Sequence, residues 1–381
     1  MKVLFVNMML EPVNGGGTVE RTLQMARHMR KAGIDCAILT TDVGMTFQAL
    51  EVLRGEGLQI TALRCLCDRF YFPVLSIGTM IKLVSEADVV HLMGHWTVIN
   101  VLSYVVVRLL GKRYVVCPAG ALSIYGRSRV LKTLFNFLVG KRIITNANGH
   151  IAIGENEIAQ FKAYGVAADK IVSIPNGINP DDFTCGDVEG FRRRHGLKNF
   201  PFILFLGRLH PEKGPDILLN AFSLLDGRFS DIHLVFVGPD NGMLEELRRS
   251  VIEYGVSGRV HFIGYLSGKD KSAAYHAATL VVIPSRFEAM SIVVLEAGVC
   301  GMPVLLTDQC GFSELERQSG GAVVPASVEG IKLGLEQLLC DPGRLREMGN
   351  INKNYIQENY TWDCAVQKYL NLFSKIHAAN P

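Results

Sequence analysis

The chain predicts an α/β fold of two doubly wound, Rossmann-like domains facing each other across a cleft. Three observations point there. The chain has 381 residues, more than one hydrophobic core usually carries. Short, continuously apolar, β-branched runs alternate with amphipathic segments, the pattern of a parallel sheet covered on both faces. That alternation occurs twice, on either side of a stretch rich in Gly, Pro, Asn and Asp.

The elements follow in order. "MKVLFVNMML" has the length of a short signal core, but it lacks a small-residue cleavage site and runs into Glu11, so it reads as a first buried strand. An amphipathic helix is expected over Val19 to Ala32. Further strands are expected at "DCAILTT", "ADVVHLM", "RYVVCPA" and "GHIAIG". The second set is "FILFLGR", "IHLVFVG", "RVHFIG", "TLVVIPS" and "MPVLLTD". Between the sets, "IPNGINPDDFTCGDVEGFRRRHGLKNFP" has turn residues and no strand pattern. The expected organisation is a first domain at 1–183, a linker at 184–199 and a second domain at 200–360. A helical tail at 361–381 is expected to pack back on the first domain.

Composition sets limits. Hydrophobic residues make up 49% of the chain, which excludes a disordered protein. The net charge of +3 gives no reason to expect nucleic acid as a partner. Nine scattered cysteines with no completed zinc spacing read as reduced thiols in the cytoplasm. The longest apolar run, Val98 to Leu110, is interrupted by Asn100, Ser103 and Arg108 and is too short to span a bilayer.

Ligands of open α/β sheets bind beyond the carboxyl ends of the strands, so chemistry is sought just after each strand. After the first strand comes "EPVNGGGTVER". Gly15, Gly16 and Gly17 would admit a ligand close to backbone, ahead of a helix starting near Thr18. A plain tight turn is the alternative. "FLGRLHPEKG" puts Arg208 and Lys213 in one strand-end loop with Gly207 and Gly214, two cations suited to a diphosphate; a solvated surface loop is the alternative. In "SRFEAMSIVVLEAGVCGMPVL", Glu288 and Glu296 stand eight positions apart in an apolar run, where unpaired charge is costly. Ser291 is suited to cap a helix that would hold Glu296 in its second turn. The amides of Ala289, Met290, Ser291 and Ile292 would then form an anion-binding helix start. Acceptor, anion site and acceptor in a row match sugar, diphosphate and ribose. Two helix-end glutamates in solvent are the alternative.

These motifs resemble the Glu-x7-Glu signature of the retaining family-4 glycosyltransferases of GT-B fold. The resemblance extends over "NGGGTVER", "DVVHLMGHW", "IPNGINPDDF", "FLGRLHPEKG", "FVGP" and "TDQCGFSEL", in that order. It implies transfer of a sugar from a nucleotide-diphosphate sugar to a glycan or lipid-linked acceptor, in cell-surface polysaccharide synthesis. It implies that Glu288 meets sugar hydroxyls, that Glu296 meets the ribose, and that Arg208 and Lys213 neutralise the leaving diphosphate. The glycine loop would face donor phosphate and acceptor, with Gly238 and Tyr265 on the nucleobase side. No D-x-D occurs in the second half, so no metal and no other cofactor is expected. The family's histidine near the reacting sugar is missing: Ala119 and Gly120 stand there. His91, His95 and Trp96 are the candidates for the acceptor side, against the bland reading of a structural strand-end histidine.

The acceptor side has one further signal. "YGRSRVLKTLFNFLVGKRI" places Val130, Leu131, Leu134, Phe135 and Leu138 on one helical stripe beside Arg127, Arg129, Lys132, Lys141 and Arg142. The segment 127–142 would suit an anionic membrane surface, making the protein peripheral on the inner face of the cell membrane. A helix packed on its own sheet is the alternative. Three other functions compete. A nicotinamide dehydrogenase would need a G-x-G-x-x-G turn, which is absent. A two-lobed sugar-binding protein would need a signal peptide and would not need both cations and both glutamates. A nucleotide-sugar epimerase of the same fold would share the donor site and differ in its product.

Overall fold

A computed structural model of the chain describes residues 1–124, 128–197 and 200–378, with backbone alone at 12–15 and 69. The chain forms two compact units. The first comprises Met1–Asn176 and the segment from Trp362 onward; the second is Gly177–Thr361.

The strands of the first unit are β1 (Lys2–Val6), β2 (Asp35–Thr41), β3 (Gln59–Leu63), β4 (Cys65–Cys67), β5 (Phe72–Pro73), β6 (Val89–Met93), β7 (Arg113–Cys117), β8 (Gly149–Ala152) and β9 (Ile171–Ser173). Seven of them form a parallel sheet in the order β3-β2-β1-β6-β7-β8-β9, while β4 and β5 make a small antiparallel ribbon. The second unit has β10 (Phe202–Leu206), β11 (His233–Val237), β12 (Val260–Gly264), β13 (Leu280–Ile283), β14 (Val304–Thr307) and β15 (Gly321–Val324), in the order β12-β11-β10-β13-β14-β15. Both sheets are doubly wound. β1 pairs with β2 on one side and β6 on the other; β10 pairs likewise with β11 and β13. The strand order reverses at these two places, which is where such sheets bind ligands. Every residue of β6, β11 and β13 is buried, as a sheet with helices on both faces requires.

Each unit has its own core. Leu4, Val6, Val90, Leu92, Val116 and Phe161 belong to the first; Ile203, Phe205, Leu234, Phe236, Val282 and Leu305 belong to the second. The helix Trp362–Ala378 closes the first unit, burying Trp362, Tyr369 and Phe373. Its Tyr369 hydroxyl accepts from the wholly buried Arg21 at 3.1 Å and is hydrogen bonded to His91 Nε2 at 3.1 Å. The same guanidinium donates to the carbonyls of Ile174 and Pro175 and to Asn176 Oδ1 at 2.8–2.9 Å. A buried cation is tolerated because both its terminal nitrogens are met in this way, although Nε is left without a partner.

The expected linker is corrected. The chain passes between units at Asn176/Gly177 and at Thr361/Trp362, and residues 184–197 belong to the second unit. Asp187 caps a helix, Val188–Arg194, whose Phe191 is fully buried. Ser272 Oγ donates to Thr184 O at 2.7 Å, tying the segment to the helix Gly268–Ala277. The turn residues that suggest a linker are here caps: Asn179 and Asp187 each accept a backbone amide of the turn they open. Residues 198–199 of the expected linker and 379–381 of the expected tail lie outside the described residues.

Candidate active site

Four strand-end loops of the second unit build the site: the ones after β10, β11, β12 and β13. Arg208 lies two residues beyond β10 and has no side-chain partner among the described residues. The loop continues through the single turn Pro211–Lys213 into the helix Pro215–Ser223. Lys213 Nζ approaches Glu288 Oε1 to 3.0 Å, although the two are far apart in sequence. Ser285 Oγ, itself buried, donates to the same oxygen at 2.5 Å. With both partners on Oε1, the second oxygen has no partner among the described residues. The Glu288 carboxylate is 9% exposed. The loop is held from below: Thr307 Oγ1 donates to Ser285 O at 2.5 Å, and Glu288 N to Gln309 O at 3.0 Å. Burial and the nearby Glu288 charge push the Cys310 thiol beneath it up to about 12, so it stays protonated.

Glu296 occupies a different environment. Its helix, Ile292–Val299, starts after Ser291, so Glu296 does lie in the second turn. Ser291 stands at the N-cap position, but its hydroxyl makes no cap bond and is buried without a partner. The first amides of this helix, at Ser291 and Ile292 after Ala289 and Met290, have no intrahelical acceptor by construction. Glu296 is 8% exposed and both its oxygens are engaged: Lys271 Nζ lies 2.6 Å from Oε1, and the Tyr275 hydroxyl donates to Oε2 at 2.6 Å. Burial, with the Glu296 charge, holds the Tyr275 phenol well above its ordinary range. The two glutamates therefore share no partner.

Gly238 and Tyr265 line one cavity of about 390 Å³ beyond the ends of β11 and β12, with Leu209, Phe262 and Ile263 among its walls. Gly238 sits so close to the first loop that a Cβ would lie 1.9 Å from Gly207 O, at φ +146. Asp240, also on the cavity wall, is held below the usual carboxylate range by the amides of Leu244, Gly242 and Met243.

In the first unit, the helix Pro12–Lys31 begins earlier than expected and breaks at Gly16 (φ 55, ψ −143); Gly15 precedes the break and Gly17 follows it. His91 is mid-strand and fully buried, and burial, helped by the Arg21 charge, lowers it to about 3. It is a neutral core residue held against Tyr369, so its assignment to the acceptor side is corrected. His95 is also buried and lowered by burial to about 4. Its Nε2 donates to Asn136 Oδ1 at 3.0 Å, and Asn136 Nδ2 donates to the Tyr164 hydroxyl at 2.6 Å. It anchors the segment after Ser128 instead of meeting solvent. Trp96, half-buried, packs edge-on against Phe135. The Ala119–Gly120 turn takes positive φ at both residues, and the buried Glu157 accepts Gly120 N at 2.5 Å and Ile153 N at 2.7 Å.

The expected apolar stripe is rearranged. The helix Arg129–Phe135 runs through a π-turn, Asn136–Gly140, into Lys141–Thr145. Phe137 (83% exposed) stands seven residues after Val130 and three after Leu134, on the exposed face with Leu131 and Leu138, while Phe135 at the edge of that face packs on the core. Arg127 lies outside the described residues.

Sequence pattern alone missed Ser285, Lys271 and Tyr275. Ser285 had a usable signal, a hydroxyl three residues before Glu288. Lys271 and Tyr275 had the (i, i+4) spacing of one helix face but nothing to show what that face meets.

Two family models match the chain: Glycosyltransferase Family 4 over residues 15–182 and Glycosyl transferases group 1 over 187–355. One similar protein is the GDP-mannose-dependent alpha-(1-6)-phosphatidylinositol monomannoside mannosyltransferase of Mycobacterium tuberculosis, 31% identical over 64% of this chain and 69% of that protein. Another is the D-inositol 3-phosphate glycosyltransferase of Gordonia bronchialis, 29% identical over 62% of this chain. The chain spans about half the length of the first curated relatives it matches, 54–55%. Among solved structures, Anabaena HepE in complex with UDP superposes with a TM-score of 0.82 at 18% identity, over 98% of this chain and 100% of that one. Sucrose-phosphate synthase of Thermosynechococcus elongatus gives 0.78 at 20% identity, over the whole of both chains. The two models cover both units, the Mycobacterium relative is matched over more than two thirds of its length, and the fold is the one these structures share: the chain belongs to glycosyltransferase family 4, of GT-B fold.

Proposed function

We propose that the protein is a retaining glycosyltransferase that moves a sugar from a nucleotide-diphosphate sugar to a glycan or lipid-linked acceptor in cell-surface polysaccharide synthesis. The observation that carries this reading is the 3.0 Å pairing of Lys213 with Glu288 beside the unpartnered Arg208, at the point where the strand order of the second sheet reverses. Two cations and a carboxylate with one open oxygen have the chemistry that a diphosphate and its sugar require. HepE is solved with UDP and with UDP-glucose, and the Mycobacterium relative is named as GDP-mannose-dependent.

In the reaction, the bond between the anomeric carbon and the donor phosphate oxygen breaks, and the electron pair leaves with the diphosphate. The acceptor oxygen bonds to that carbon from the same face, and its proton passes to a donor phosphate oxygen. Arg208, Lys213 and the amides at the start of the Ile292–Val299 helix stabilise the growing phosphate charge. Glu288 holds sugar hydroxyls and favours the oxocarbenium-like state through its charge. Glu296 serves the ribose with Lys271 and Tyr275 fixing its carboxylate, and the Gly238–Tyr265 cavity receives the base. No metal is assigned a role, and among the described residues no group of three or more His, Cys, Asp or Glu is arranged to ligate one.

The test is transfer measured over a panel of nucleotide sugars, chosen by thermal shift, with and without EDTA. Turnover should survive the chelator. Arg208→Ala and Lys213→Ala should each raise the barrier by about 3 kcal/mol, a rate loss on the order of a hundredfold, in folded protein. Normal rates in both variants, or product that is only isomerised donor, would overturn the reading.

The protein is also placed, as part of this proposal, on the inner face of the cell membrane through the segment ending at Arg142. No helix among the described residues is long and apolar enough to cross a bilayer. Val130, Leu134 and Phe137 project from this segment, with Arg129, Lys141 and Arg142 exposed on it. Sedimentation with anionic liposomes should weaken as salt rises; equal binding to neutral vesicles, or loss of none of it in Val130→Ser/Phe137→Ser, would remove this part.

A further inference from the structure

The loops bearing Lys213 and Glu288 come from different strands, and Arg286 connects them. Its backbone N donates to Glu212 O at 2.8 Å. Its Nη1 donates to Pro211 O at 2.7 Å and to Asp216 Oδ1 at 2.8 Å, and its Nη2 to Asp216 Oδ2 at 2.5 Å. Pro211 is two residues before Lys213 and Asp216 three after it; Arg286 is two residues before Glu288. One planar group thus grips the turn that carries the lysine on both sides, from a point next to the glutamate.

The pair is a poor device for stability. Arg286 and Asp216 are 41% and 38% exposed, and exposed ion pairs contribute only about 0–1 kcal/mol. Its geometry is what matters: a bidentate fork with a third bond to a carbonyl fixes direction as well as distance. A backbone contact acts in the same place, since a Cβ on Gly214 (φ +66) would lie 2.1 Å from Pro284 O. Between this contact and the guanidinium, the two loops have one spacing, and the Lys213–Glu288 distance of 3.0 Å is its result.

The geometry points to Arg286 as a positioning residue: it holds Lys213 and Glu288 at the separation that lets one donor meet both, the phosphate at the lysine and the sugar at the glutamate. This rests on the proposed function of that pair. A diphosphate competes with Glu288 for the lysine's charge, and without the clamp the turn can follow the phosphate and leave the sugar misplaced. The cost then falls on the chemical step and not on nucleotide binding. Lysine at 286 keeps the charge but cannot fork, so it should rescue only part.

The experiment compares wild type with Arg286→Ala, Arg286→Lys and Asp216→Asn. It measures kcat and KM with the preferred nucleotide sugar, calorimetric affinity for UDP and GDP, and the crystal structure of Arg286→Ala. Expected are a kcat loss of about tenfold or more in Arg286→Ala, a smaller loss in Arg286→Lys and Asp216→Asn, and nucleotide affinity unchanged. Added to Lys213→Ala, Arg286→Ala should cost less than about twofold more, because it acts through that lysine. In the crystal the Lys213–Glu288 distance should open beyond about 4 Å. A wild-type kcat, a fully additive double variant, or a closed pair in the crystal overturns the inference. If wild type transfers no sugar, the proposed function fails by itself, and the crystallographic distance alone then upholds or overturns the clamp.

Discussion

Glu288 and Glu296 have the same chemistry, lie eight positions apart and should fail differently. Glu288 presents one open oxygen beside Lys213; Glu296 is locked by Lys271 and Tyr275. Glu296→Ala should weaken binding of bare nucleoside diphosphate and lower stability by about 1–3 kcal/mol, since it leaves an ammonium and a buried hydroxyl without their acceptor. Glu288→Ala should leave nucleotide affinity nearly unchanged and lower kcat with the full donor. Calorimetry with nucleotide and donor, beside urea unfolding, checks both; equal loss of nucleotide affinity in the two variants would refute the division. Residues of this kind are legible when their chemistry clashes with their surroundings, as two carboxylates do in "SRFEAMSIVVLEAGVC". Their partners are not, because Lys271 and Tyr275 reach Glu296 only through packing of one helix on another. His91 misleads for the opposite reason. In "ADVVHLM" a polar residue draws attention, yet every position of that strand is interior, and the histidine is satisfied by a helix that comes 278 residues later.

Elements were legible where their pattern was continuous. The ten apolar runs taken as strands are β1, β2, β6, β7, β8 and β10 to β14. β3, β9 and β15 sit at sheet edges, where Gln59, Ser173 and Gly321 dilute the apolar signal. After Ser128 the edge of the exposed face is what the pattern leaves open: by 3.6-residue spacing Phe137 lies with Val130 and Leu134, while Phe135 sits at the border of the stripe and packs on the core. Where elements meet by backbone, a single methyl is decisive. Gly238→Ala would press a Cβ into Gly207 O and should cost about 2 kcal/mol or more while closing the adjoining cavity to nucleotide. Gly16→Ala has open space around it and should cost only the backbone strain of its φ 55, ψ −143 conformation, about 1–3 kcal/mol. Urea midpoints for the two variants decide it; equal costs would mean that the strand-end contact yields easily.

At the scale of the whole molecule, two doubly wound sheets follow from length and a repeated strand–helix alternation, and both are present. The boundary was less legible, because Asn, Asp, Gly and Pro cap turns as readily as they join domains, and the two uses look alike in one dimension. The helix after Thr361 shows that the first unit is discontinuous in sequence. Ending the chain at Thr361 should therefore damage the part of the protein furthest from the cut in sequence. Arg21 and His91 would lose Tyr369, and the core would lose Trp362 and Phe373. Amide exchange in β1 and β6 should rise by orders of magnitude while β10, β11 and β13 stay protected. Equal protection in both sheets would show that the helix is dispensable.

The same discontinuity sets an order of events during synthesis. Residues 1–176 emerge from the ribosome before the second unit, but they cannot complete their core, because the helix that covers Arg21 and His91 is translated only after that unit. The second unit is encoded without interruption and has all its strands once residue 324 is out. The half that is made second is thus the half that can close first. Through the translation of some 185 intervening residues the early half waits with a buried-cation site unsatisfied and an apolar face uncovered, for roughly 10–40 s at ordinary elongation rates. That interval, and not the folded state, is when this chain has most need of a chaperone.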